Sequence, residues 1–158
     1  MVRVEEGTNE ALRAVVSHIR DSDVREFLAT SWWSTREALQ ADLIARYADR
    51  DDTFVCTVDG RAVAFGAMVE ARPGVVTAGF FATDEFPQVA LQVARFVRRS
   101  LFPSYRRAGV HRIDCMVIDG YESAMRFVRL LGMKLEFEAR GYGKNGESFY
   151  GFAWVRAD

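Results

Sequence analysis

The sequence is poor in the residues that build metal centres, disulfide frameworks and linkers: two cysteines, two histidines and three prolines in 158 residues. Cys56 and Cys115 each lie in an apolar, strand-like run, where a free thiol packs like a small hydrophobe. There is no CxxC pair, and His18 and His111 stand far apart, so no zinc-ligand spacing exists and no metal is expected. Two isolated thiols fit a reducing cytoplasm. Long apolar runs are also missing, because charges interrupt each hydrophobic stretch before the ~18–20 residues needed to cross a bilayer. The opening Met-Val-Arg-Val-Glu-Glu sets two carboxylates where a secretory signal would need continuous apolar residues. Excess charge of either sign is absent as well: the net charge is −1, and nucleic acid is not an expected partner. Lysine occurs twice against nineteen arginines, a habit of composition rather than a sign of function.

What is present is a core. Hydrophobic residues make up 49% of the chain and aromatic residues 13%, far above the level of a disordered segment. The length suits one domain of roughly 150 residues, taken here as residues 1–158. A chain of that size buries about 68–70% of its unfolded surface without staples.

Residues 2–5 read as a short first strand. Leu12, Val15, Val16 and Ile19 recur at helical spacing. Asp21-Ser-Asp23 then supplies capping oxygens for a second helical piece carrying Val24, Phe27 and Leu28. After Trp32-Trp33, the run Ser34-Thr-Arg-Glu37 reads as a capping box with Ser34 as cap, opening a helix with Leu39, Leu43, Ile44 and Tyr47. From Thr53 the pattern becomes a three-strand meander: residues 53–58, the Asp59-Gly60 turn, residues 61–70, the Arg72-Pro-Gly74 turn, and residues 75–82. Val89, Val93, Phe96, Val97 and Leu101 mark a long helix expected to stop before Pro103. Residues 111–118 read as a central strand, and Ala124, Phe127, Val128 and Leu131 as a helix capped by Gly132. Residues 134–140 and 147–156 close the chain as strands. The order β-α-α-β-β-β-α-β-α-β-β predicts an α/β fold with a mixed sheet (α+β in the broader sense).

This order, with Ala124 followed by the Gly132-Met133 corner and a strand, resembles the GNAT superfamily of N-acetyltransferases over nearly the whole chain. That resemblance implies acetyl-CoA as cofactor, its pyrophosphate held by bare main-chain N–H groups of a glycine-bearing turn at a helix N-terminus. The equivalent stretch here, Phe81-Ala-Thr-Asp-Glu-Phe-Pro-Gln88, has no glycine. It places Asp84 and Glu85 where an anion would sit, and Pro87 lacks a donor. The family's frequent tyrosine acid falls on Val128, which has no proton to give, and its frequent asparagine falls on Tyr121.

A narrower likeness accommodates both departures. Phe81-Ala-Thr83, Arg126-Phe127 before a Leu-Gly corner, and the tail Gly141-Tyr-Gly-Lys-Asn-Gly-Glu-Ser-Phe149 resemble the small internal virion protein A family of short-tailed bacteriophages. It implies a phage or prophage protein acting through protein contacts in particle assembly or genome delivery. Such a protein would lie in the host cytoplasm or be packaged in the virion, and no cofactor is expected. Trp32, Trp33, Tyr150 and Trp154 are then the candidate contact residues, since hot spots favour Trp and Tyr. The alternative is an active N-acetyltransferase, in which Phe80, Phe81 and Ala82 hold the pantetheine by strand-like hydrogen bonds, Thr83 caps the pyrophosphate and Tyr121 is the proton donor. The remaining clusters read as structural: Arg95, Arg98 and Arg99 complement a helix C-terminus, and Asp21, Asp23 and Glu26 lack a histidine partner.

Overall fold

A computed structural model describes residues 1–157. Among these residues seven strands, β1 (Val2–Glu6), β2 (Thr53–Val58), β3 (Arg61–Arg72), β4 (Val75–Ala82), β5 (Arg112–Ile118), β6 (Lys134–Ala139) and β7 (Phe149–Val155), form one mixed sheet in the order β1-β2-β3-β4-β5-β7-β6. The chain divides into two compact units, Met1–Ala67 with Gly79–Val89, and Met68–Ala78 with Ala90–Asp158, so β3 and β4 each contribute to both.

The first unit begins with β1 (Val2–Glu6), α1 (Asn9–Ser17), α2 (Asp21–Ala29) and α3 (Arg36–Tyr47). Thr8 caps α1 by accepting from Ala11 N–H at 3.1 Å, and Leu12, Val15 and Val16 form the fully buried stripe that the 3.6-residue period requires. Two expected caps move. Thr35, not Ser34, accepts from Ala38 N–H at 3.2 Å and opens α3, because it is Thr35 that has the extended backbone of an N-cap. Arg20 occupies the N-cap position of α2 and makes no side-chain cap bond, and the Asp23 carboxylate is engaged with Ala82 N–H. β2 (Thr53–Val58) pairs antiparallel with β1 from Val2↔Val58 to Glu6↔Phe54, and with β3 (Arg61–Arg72) through Thr53↔Ala67 to Val58↔Arg61. Asp59 (φ 48°) and Gly60 (φ 81°) make the positive-φ pair that a two-residue hairpin needs.

The first unit closes with the second half of β4 (Val75–Ala82). Its Phe81 is 1% exposed and is met by three rings: Phe65 stacked at 5.7 Å, Phe27 edge-on at 5.9 Å and Tyr47 tilted at 5.9 Å. One side chain thus ties α2, α3, β3 and β4 together in a geometry aromatic rings favour.

The second unit contains α4 (Ala90–Phe96), α5 (Phe102–Arg107), β5 (Arg112–Ile118), α6 (Glu122–Leu130), β6 (Lys134–Ala139) and β7 (Phe149–Val155). The helix does not stop before Pro103. Residues Val97–Leu101 form a π-helical turn and the chain continues as α5, with Pro103 in its first turn. β4 and β5 pair in parallel through Val75↔Arg112, Val76↔Ile113 and Thr77↔Asp114. β7 lies between β5 and β6, antiparallel to both. Arg112 reaches across β7 to Glu136 of β6 (2.7 and 3.1 Å) while also holding Asp114 at 2.9 Å. The small Ala153, opposite Asp114 on β5 and Lys134 on β6, leaves room for that reach. Gly151 is required for a similar reason, since a Cβ there would stand 2.2 Å from the Phe137 ring. Gly132 (φ 92°) ends α6 as expected. Among the described residues no helix is long and apolar enough to cross a membrane.

Candidate functional site

The end of β4 carries four of the residues singled out from the sequence. Phe80 is half-buried, packing edge-on against Phe86 at 4.9 Å and tilted against Phe54 at 6.5 Å. Phe81 is the aromatic hub already described. Thr83 N–H donates to Val63 C=O at 2.9 Å, toward β3. Because strand groups alternate in direction, the N–H and C=O of Ala82 point the other way, away from β3.

Those two groups are taken by the start of α2. Ala82 N–H donates to Asp23 Oδ2 at 2.8 Å, and Ala82 C=O accepts from Arg20 N–H at 2.9 Å. Arg20 Nε donates to the same Asp23 oxygen at 2.7 Å, and the Arg20 guanidinium lies 5.2 Å over the Phe86 ring. Asp23 is 2% exposed. A carboxylate that deep is tolerable because a cation and a main-chain donor converge on it. By sequence alone Asp23 groups with Asp21 and Glu26 as carboxylates without a histidine partner, and with Asp21 as a capping residue. The signal in the sequence was spacing: Asp23 is four residues before Phe27, on the inward side of α2.

The turn that follows is self-satisfied. Glu85 N–H donates to Thr83 Oγ1 (3.3 Å), Phe86 N–H to Thr83 C=O (3.1 Å), Gln88 N–H to Glu85 C=O (3.2 Å) and Val89 N–H to Phe86 C=O (2.9 Å). Pro87 has no N–H. Asp84 is exposed, and Glu85 pairs with Arg61 at 3.2 Å, an exposed ion pair of little weight. A diphosphate seeks converging main-chain donors and positive potential. Residues 83–89 offer Asp84 N–H at most, with two carboxylates beside it. These residues do not fit the pyrophosphate of coenzyme A as the family resemblance would have it.

Tyr121 sits at the N-cap position of α6 and is buried at 8% exposure; Val128 is buried in the same helix. Trp32 is 97% exposed and Trp33 47%, in the loop that Ser31 Oγ knots by accepting from Trp33 N–H and donating to Trp33 C=O, both at 3.2 Å. Trp154 and Tyr150 differ from them. The Arg106 guanidinium covers the Trp154 ring at 4.3 Å, and Tyr150 is half-buried opposite Val117. Glu138 and then Asp119 raise the pKa of Tyr150 above the ordinary phenol range. Arg95, Arg98 and Arg99 are exposed, whereas Arg106 and Arg112 are engaged within the chain. Cys56 is buried, and desolvation pushes its thiol up to about 11; Cys115 is half-buried, 3.7 Å from Met133 Sδ. Among the described residues no cluster of His, Cys, Asp or Glu could hold a metal ion.

No protein-family model matches the sequence, and no curated protein matches it significantly. Solved structures do match its fold. Ard1 from Thermoplasma volcanium superposes with a TM-score of 0.73 at 16% identity, covering 99% of both chains. A GNAT-family acetyltransferase from Bacillus anthracis gives 0.72 at 14% identity, over 98% of this chain and 94% of that one. The ribosomal-protein-S18-alanine N-acetyltransferase from Escherichia coli gives 0.69 at 16% identity, over 100% and 97%. The protein has the GNAT acetyltransferase fold from end to end. None of these likenesses bears on a phage or virion origin.

Proposed function

We propose that this chain is acetyltransferase-like in function, and that transfer of an acetyl group from acetyl-CoA to an amine is the reaction to test first. The observation that supports this reading is the end-to-end likeness to structures named as acetyltransferases, with coverage of 98% and 100% of this chain. One of them is named for the alanine of a ribosomal protein, which makes a peptide with an N-terminal alanine the first acceptor to try. The misfit at residues 83–89 means that a coenzyme A thioester would need contacts other than a main-chain cradle.

That misfit favours a second reading: a phage or prophage protein that keeps the scaffold with a degenerate acetyl-CoA site and acts through protein contacts in particle assembly or genome delivery. Trp32 and Trp33, exposed side by side, are then the leading contact residues, with Tyr150 half-buried and Trp154 covered by Arg106. Titration calorimetry with acetyl-CoA, together with acetylation of the alanine peptide followed by mass spectrometry, separates the two. Micromolar binding with turnover establishes the enzyme. Absence of both, with co-sedimentation of the protein with phage particles, establishes the second reading.

A further inference from the structure

From Phe86 to Ile113 the chain carries six arginines and no aspartate or glutamate. Within the second unit the fold gathers this one-sided charge. α4, the π-helical turn and α5 run without a break from Ala90 to Arg107, and α6 packs beside α4. The Arg106 guanidinium lies 4.3 Å over the Trp154 ring, and that of Arg129 lies 5.2 Å over the Phe152 ring. Those rings are two positions apart on β7, so α5 and α6 cover the same face of that strand. Residues 90–107 and 122–130 together hold seven arginines against one glutamate, Glu122, in a chain whose net charge is −1. The whole-chain balance conceals that separation, and with it the ground for expecting no nucleic acid.

The expectation that Arg95, Arg98 and Arg99 complement a helix C-terminus fails, because the helix runs on through Pro103 and ends at Arg107. Arg99 stands eight positions before that end, and the influence of a terminus fades within one turn. All three are exposed, and among the described residues none has an ion-pair partner. Arg107 and Arg126 share both properties. Like charges three and four positions apart destabilise a helix, a cost that a bound polyanion removes.

We propose that this arginine layer, centred on Arg95, Arg98 and Arg99, binds the phosphate backbone of a nucleic-acid duplex without reading its sequence. Guanidinium forks match phosphate oxygens. The aromatic residues of these helices, Phe96, Phe102, Tyr105 and Phe127, are buried or half-buried, which leaves no platform for stacking unpaired bases. Val93, Ala94 and Val97 are turned into the core, so α4 keeps no apolar face to sink into a bilayer. A row of cations with neither feature fits an ordered row of phosphates. The inference goes beyond acetyl transfer and does not depend on it.

Fluorescence anisotropy tests it on the intact chain, with labelled DNA and RNA duplexes of unrelated sequence in 50 to 200 mM salt. Three to five phosphate contacts give a slope of log K against log salt of about −3 to −4.5, a loss of about 40- to 500-fold over that range. The triple variant Arg95→Gln/Arg98→Gln/Arg99→Gln should flatten the slope by about 2.7 and weaken binding at 50 mM salt at least about tenfold. Arg3→Gln/Arg13→Gln/Arg140→Gln removes the same charge from exposed positions outside the layer and should change affinity less than about threefold. Binding of either duplex in this pattern supports the proposal, and the tighter of the two names the source of the backbone. Equal losses in the two triple variants, binding to one sequence alone, or no duplex binding at 50 mM salt overturns it. Tighter binding to single strands, phosphatidylserine vesicles or polyglutamate than to duplex also overturns it. A reading that needs no variant comes from wild type: duplex-induced ¹⁵N amide shifts should gather on residues 95–107 and 126–129, and shifts confined to other residues refute the placement.

Discussion

Phe81 offers the most direct test of how the first unit is held together. Replacing it with alanine removes a ring that is 1% exposed and loses three aromatic contacts, to Phe27, Tyr47 and Phe65, with centroids 5.7–5.9 Å away. Phe→Ala in a close-packed interior costs about 3–5 kcal/mol, and ring pairs add about 0.5–1.5 kcal/mol each beyond burial. The neighbours come from α2, α3 and β3, elements already fixed by other contacts, so the cavity cannot easily collapse and the upper part of that range applies. A loss of about 4–5 kcal/mol corresponds to a drop in Tm of roughly 10–15 °C for a chain of this size. Phe81→Leu keeps most of the volume but none of the ring geometry and should cost about 1–2 kcal/mol. Urea unfolding followed by circular dichroism gives both values, with unchanged slopes confirming that the native state is what was altered. A cycle with Phe65→Leu should return a coupling of about 0.5–1.5 kcal/mol for the stacked pair. If Phe81→Ala costs less than about 2 kcal/mol, or if leucine costs as much as alanine, the ring cluster is not what holds these elements.

Gly60→Ala forces a side chain into a backbone with φ 81° and should destabilise by about 1–2 kcal/mol, measurable by urea titration. Cys56 should resist iodoacetamide at neutral pH while half-buried Cys115 reacts first, a difference that peptide mass mapping reads directly. Because burial raises the Cys56 thiol to about 11, its contribution to stability is complete below the unfolded value of about 8.5 and is lost as pH rises through about 11. A Cys56→Ala chain should therefore show less loss of stability across that window. Trp32→Ala should change stability by less than about 0.5 kcal/mol, since its ring is 97% exposed; a larger loss in a melting experiment would mean the ring is covered.

Much of the framework was legible in the residues. Period-3.6 stripes such as Leu12, Val15 and Val16 and the Asp59-Gly60 turn carry their own local physics, so the elements appear where those signals stand. Boundaries and caps were less legible. Ser34 and Thr35 are chemically near-equivalent caps, and only the backbone path chooses between them. Pro103 signals a stop, yet the helix runs on through it by way of the wide turn at Val97–Leu101. At the candidate site, the absence of glycine and the presence of Asp84 and Glu85 were visible in the sequence. The engagement of Ala82 was not, because Asp23 and Ala82 are 59 residues apart and no local pattern joins them. The aromatic contact set divided likewise: period-2 spacing groups Tyr150 with Trp154 on β7, but only the fold shows that Arg106 already covers Trp154.

The π-helical turn at Val97–Leu101 lets this helix hold one residue more than its buried face needs. A wide turn holds one residue more than an α-helical turn, so it delays the helix face by about 100°. That delay brings Phe102 inward to 1% exposure, five positions after the buried Val97, a spacing an ordinary helix would turn toward solvent. Deleting Ser100 would set Phe102 four positions after Val97, where an ordinary α-helical turn keeps it on the buried face, so the extra residue is absorbed by the wide turn rather than by the core. Inserting a further residue has no such outlet: Phe102 and every residue of α5 would be carried about 100° round, and the core would lose that ring.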